Sequence, residues 1–128
     1  MKLHKKVLVD SSVWIDFFRG KSTPFMDQLV TEDLIITNEL ILSELIPALQ
    51  KNKQRLIIES LLAVPVVPLE TNWHLIRKMQ TENLDNGINK VGIPDLIILQ
   101  QVIDQKLHLH TSYKHFLLMQ KVFEFSLV

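Results

Sequence analysis

Three carboxylates in this sequence stand where an acid is costly unless something uses its charge. Asp10 lies in "VLVDSSVWIDFF", directly after the apolar run Val7–Val9 and ahead of a helical stripe that begins at Trp14. Glu44 lies in "NELILSELIPAL" beside Leu40, Ile41, Leu45 and Ile46, whereas Glu39 just upstream has no comparable apolar neighbours. Asp95 lies in "VGIPDLIILQQVI", behind Pro94 and at the head of a segment that is apolar almost all round. Taken singly, each has an ordinary explanation: Asp10 as a helix N-cap, Glu44 as part of a solvated face, Asp95 as an acid favoured by a helix dipole. Brought together, they would hold a hard divalent cation through oxygen. The lack of cysteine and of ordered histidine spacing favours Mg²⁺ or Mn²⁺ over Zn²⁺. The corresponding chemistry is phosphodiester hydrolysis, in which such an ion lowers the pKa of a bound water, neutralises the phosphate and stabilises the leaving oxygen.

Whether the three acids meet depends on the elements that carry them. Short β-branched runs at 6–10, 34–37 ("LIIT"), 64–69 ("VPVVPL") and 107–110 ("LHLH") have strand length. Longer segments with helical spacing lie between them, such as Leu42, Leu45, Ile46 and Leu49, or Leu96, Leu99 and Ile103. Ser22 or Thr23, Thr37 or Asn38, and Thr71 read as N-caps, Pro94 fits a first helical turn, and Gly87 reads as a C-terminal stop. Pro47, one turn after Glu44, is expected to bend or end its helix. Strands alternating with helices imply parallel pairing, hence an α/β fold of three layers, an α/β/α sandwich around a central mainly parallel sheet. In such sheets ligands collect beyond the carboxyl ends of the strands, where Asp10 falls.

With 128 residues, 47% of them hydrophobic and 22% charged, the chain is expected to form one globular domain, residues 1–128. No apolar run is long enough for a bilayer, and "MKLHKKVLVD" lacks the apolar core of a signal peptide. The cysteine-free sequence suits a reducing cytoplasm, which is the expected location. Fourteen basic and fourteen acidic side chains cancel, so a site for a polyanion must be local. The candidates are Lys2, Lys5, Lys6, Arg19 and Lys21 around Asp10, and Lys51, Lys53 and Arg55 after the Glu44 helix. His108 and His110 share a strand face but read as ordinary strand residues rather than a metal pair, and Trp73, Leu75 and Met79 read as core.

Three stretches carry a family resemblance. "VLVDSSVWIDFFRG" resembles the opening of a PIN domain, "TNELILSELIPAL" is similar to its second acidic segment, and "GINKVGIPDLIILQQVIDQKLHLHTSYKHF" to its third acidic helix and last motif. The spacing spans nearly the whole chain, and the size is that of the VapC toxins of toxin–antitoxin pairs. The resemblance implies Mg²⁺-dependent endoribonuclease activity, RNA as substrate, a cognate antitoxin as partner and a homodimer. It implies Asp10, Glu44 and Asp95 as the acidic cluster, Asp10 and Asp95 as the metal ligands, and Ser12 as a hydroxyl that orients the site. One departure stands out: the family commonly has a further Asp or Asn before the final aromatic, and this stretch reads "HTSYKHF". Registered on Phe116, that position falls on Tyr113, with His115 next, and a shift by one puts Ser112 there. Neither Tyr113 nor Ser112 is an anion near neutral pH, so one metal is a firmer implication than two.

Two other functions fit less well. A catalytically weakened PIN-like RNA-binding module would explain the missing acid, and would show no carboxylate-dependent metal binding. Another metal-dependent phosphoryl hydrolase on an α/β fold would also use clustered acids. Against it, there is no Gly-rich phosphate loop, and the position two residues after Asp10 is Ser12.

Overall fold

The computed structural model describes residues 6–128, so Lys2 and Lys5 lie outside the described residues. Val7–Val9 (β1) is apolar at every position and buried throughout, as a strand covered on both faces must be. It is followed by α1 (Ser11–Phe18), α2 (Pro24–Thr31), β2 (Ile35–Ile36), α3 (Glu39–Lys51) and α4 (Arg55–Leu62). After these come α5 (Trp73–Asp85), α6 (Ile93–Asp104), β3 (His108–His110), α7 (Lys114–Met119) and β4 (Ser126–Leu127). The sheet is parallel in the order β2-β1-β3-β4, with Val7 opposite both Ile35 and His108, so the fold is the expected α/β class. From β1 the chain leaves to one side to reach β2 and returns on the other side to reach β3. The carboxyl ends of β1 and β3 therefore flank the point where the strand order reverses, the place where α/β sheets open a crevice.

Four expectations about elements need correction. The "VPVVPL" strand is reduced to a single bridge, Thr37 with Val66, because Pro65 and Pro68 have no N–H for a ladder. The carbonyls of Val67 and Pro68 instead accept from the side chain of Gln101. The helix bearing Glu44 does not end at Pro47 but continues to Lys51; both Pro47 and Ser43, whose carbonyl loses its helical donor, are exposed, so water can take its place. The cap of α5 is Asn72 rather than Thr71, its Oδ1 accepting from Leu75 N at 3.1 Å. Trp73, expected in the core, is 55% exposed, while Met79 is buried and Leu75 packs at the edge of the core. None of α4, α7 and β4 was among the expected elements.

The remaining punctuation behaves as read. Thr23 caps α2, Gly87 takes a positive φ of 73° after α5, and Pro94 stands in the first turn of α6. Asn38 caps α3 through Oδ1 to Ile41 N (2.8 Å), and its Nδ2 donates to Gln101 Oε1 (2.7 Å), tying the helix that carries Glu44 to α6. Both groups are buried, so Asn38→Ala removes a cap, about 1 kcal/mol, and strands a buried acceptor, about 1–3 kcal/mol. A loss of roughly 2–4 kcal/mol in denaturant unfolding is the expected result; a change below 1 kcal/mol would deny the tie.

Candidate active site

Asp10 occupies the switch point. It is the N-cap of α1, its Oδ1 accepting from Ser11 N at 2.8 Å. It is also a buried acid, 1% exposed, and its backbone N–H donates to His110 O across to β3. Its Oδ2 accepts from Thr111 Oγ1 at 2.9 Å and from Ser12 Oγ at 3.1 Å. Ser12 Oγ in turn accepts from Ser112 N at 3.0 Å. Burial still raises the Asp10 pKa, although each of these hydrogen bonds favours the ionised form.

The other two acids face it. Glu44 is exposed, and partial desolvation of its carboxyl is the main cause that raises its pKa, followed by the negative charges of Asp10 and Asp95. Asp95, in the first turn of α6, is raised by burial and by Asp10, and lowered by His115, whose Nδ1 lies 3.7 Å from Oδ2. A strand end, the middle of α3 and a helix start thus direct like charges at one another. Among the described residues, no group of three His, Cys, Asp or Glu side chains closes tightly enough to cage an ion. His108 and His110 have separate partners, Ser126 Oγ and Val128 O.

The two candidates for the missing acid part company. Tyr113 points to the cluster: after burial, the charge of Asp10 is what most raises its pKa, with smaller contributions from Glu44 and Asp95. Ser112 turns away, its Oγ reaching Asp16 Oδ2 at 3.5 Å, and joins the site only through its backbone N–H. Two polar residues escaped the sequence reading. Thr111 is the residue after β3, so the pairing of Val9 with His110 sets it opposite Asp10; the end of the "LHLH" run was its signal. Ser11 is buried, and its side chain stabilises the ionised forms of Asp10, Glu44 and Tyr113 alike. Nothing in its sequence context separates it from Ser12.

All donors here are oxygen, and the acids have no lysine or arginine ion-pair partner among the described residues. That set fits an ion such as Mg²⁺, which takes one or two carboxylates and keeps waters, better than one that demands a full protein cage. The raised pKa values also fix the sign of a stability effect. A carboxyl whose pKa is higher folded than unfolded favours folding below its ordinary pKa, and that contribution is lost as pH rises through the folded value. In chelator the protein is therefore expected to melt higher as pH falls from neutral towards the ordinary carboxylate range. Asp10→Asn, which keeps an Oδ1 acceptor for Ser11, is expected to melt higher than the parent at neutral pH, with the gap closing on acidification. A gap that widens on acidification would reverse the assignment.

The sequence over residues 7–116 matches the PIN domain family. Similar folds occur in DNA-bound VapBC from Salmonella typhimurium, with a TM-score of 0.76 at 14% identity over 97% of this chain and 97% of that one. VapBC-1 from nontypeable Haemophilus influenzae gives 0.71 at 17%, over 95% and 96%. FitAcB from Neisseria gonorrhoeae gives 0.70 at 17%, over 94% and 95%. No curated protein matches the sequence. With the family matched from β1 into α7, over most of its length, the chain belongs to the PIN-domain family.

Proposed function

We propose that this chain is a divalent-metal-dependent endoribonuclease of the VapC type, the toxin of a toxin–antitoxin pair, active on RNA as a homodimer in the cytoplasm. The observation that carries the reading is Asp10, a buried acid at the sheet's switch point whose pKa stays raised in spite of three hydrogen bonds, with Glu44 and Asp95 turned towards it. Nature keeps such a cluster for a cation more readily than for stability, since its repulsion works against folding. Asp10 and Asp95 would hold Mg²⁺ or Mn²⁺, which when bound supplies charge for the phosphate and a more acidic water. The chain's own residues do the rest. Ser11, Ser12 and Thr111 fix the orientation of Asp10, and Glu44, still open to solvent, offers a carboxylate able to accept a proton.

The antitoxin partner is supported by the neighbours, two of which are VapBC assemblies, and by a groove away from the acids. That groove encloses about 540 Å³ between α1, α2 and α4 and is lined by Trp14, Phe17, Phe18, Val30, Leu56 and Leu61. Leu56 is 77% exposed on its rim, and Trp14 Nε1 is buried there without a partner among the described residues. An apolar patch of this kind suits a protein partner.

The decisive assay incubates the purified chain with single-stranded RNA and Mg²⁺ or Mn²⁺, with and without chelator. Chelator-sensitive internal cleavage that an Asp10→Asn variant lacks supports the reading. RNA binding without cleavage, unaffected by the acids, would favour the weakened binding module that Tyr113 in place of an acid suggests.

A further inference from the structure

Tyr113 belongs to two places at once. Its hydroxyl end lies near Ser11 and the three acids, and its ring lines a neighbouring pocket of about 240 Å³ with Thr111, Lys114, Leu117 and Leu127. The pocket begins at the residue that holds Asp10: Thr111 Oγ1 donates to Asp10 Oδ2 at 2.9 Å and accepts from Tyr113 N at 3.1 Å. Two of its walls are exposed side chains, Tyr113 at 41% and Leu117 at 62%, open to a ligand. Lys114 forms no ion pair among the described residues. An aromatic face, an aliphatic wall and a free cation are the parts that bind one unstacked nucleotide: the base stacks and the cation meets a phosphate. The volume, below the 300–1,000 Å³ of pockets for larger ligands, is on the scale of a single base.

We propose that this pocket takes the nucleobase next to the scissile phosphate of single-stranded RNA, with Tyr113 as the stacking platform and Leu117 as the opposite wall. The proposal rests on the ribonuclease reading above. It assigns substrate selection to one of the two positions where the resemblance expects an acid, and so gives the tyrosine a task of its own. Base-aromatic stacking is sequence-tolerant, so the subsite should grip single strands and bulges and leave paired RNA alone.

The test uses the full chain, Mg²⁺ and a short oligoribonucleotide bearing 2-aminopurine beside the cleaved bond, mixed by stopped flow so that quenching is read ahead of cleavage. Tyr113→Phe keeps the ring and is expected to bind within about twofold of the parent; Tyr113→Leu and Leu117→Glu are expected to bind about tenfold more weakly, with KM raised more than kcat is lowered. Equal losses in Tyr113→Phe and Tyr113→Leu would give the role to the hydroxyl and overturn stacking. Parental affinity in Tyr113→Leu and Leu117→Glu, with cleavage by the parent intact, would overturn the subsite and leave the ribonuclease standing. A parent protein that neither binds nor cuts RNA in Mg²⁺ or Mn²⁺ would overturn both.

Discussion

Asp95→Asn is expected to lower kcat/KM for metal-dependent RNA cleavage by more than about a hundredfold while the protein stays folded and melts no lower in chelator. The size follows from the residue's position. Groups that merely orient a metal ligand cost about 10–100-fold when removed, and a direct ligand should exceed that. The stability half follows from charge. Asp95 is half-buried at the head of α6, faces Asp10, and has His115 Nδ1 3.7 Å from its Oδ2. Removing its charge relieves repulsion with Asp10 and Glu44, and forfeits only a partly exposed pairing with His115, of the kind worth little. Asparagine fills the same volume, so no cavity opens. Calorimetry in chelator and steady-state kinetics in Mg²⁺ read the two halves separately. Full activity would remove Asp95 from the ligand set, and unfolding would make it a structural residue.

The acids were legible because each broke a local pattern: a charge after the buried β1, a charge inside an apolar stripe, a charge heading an apolar helix. Patterns of that kind are properties of adjacent residues. The hydroxyls that hold Asp10 in place are not. Ser11 and Ser12 look alike in sequence, and Thr111 reaches Asp10 only because β1 and β3 are paired in register, a relation between residues a hundred positions apart. The same divide runs through the fold. Buried β1, α2 behind Thr23-Pro24 and α6 behind Gly92-Ile93-Pro94 announce themselves locally. The 64–69 stretch carried the β-branched content of a strand, but its two prolines and the Gln101 side chain reached its carbonyls first. Trp73 was read as core from its type alone; at the start of α5 it is the next turn, at Ile76, that meets the interior.

The contrast between Tyr113 and Ser112 allows a sharper test of what the cluster is for. An additional carboxylate within a few ångströms of a divalent ion in a partly desolvated crevice strengthens attraction, so Tyr113→Asp is expected to tighten Mg²⁺ or Mn²⁺ binding and raise kcat. The backbone at this position is already tied in, since Tyr113 N donates to the Thr111 hydroxyl that holds Asp10. Without metal, the same charge adds to the repulsion among Asp10, Glu44 and Asp95, so the melting temperature in chelator should fall and the carboxyl pKa values should rise further. Loss of the ring acts in the opposite sense on substrate, so KM for RNA should rise even as kcat does. Ser112→Asp serves as the control: its side chain turns to Asp16, so it should leave metal affinity unchanged and cost only local repulsion. Calorimetric metal titration of the three proteins decides between accounts. Tightening in Tyr113→Asp alone places position 113 at the ion; tightening in Ser112→Asp alone would shift the last motif by one residue; no change in either would mean that the segment after β3 does not reach the metal.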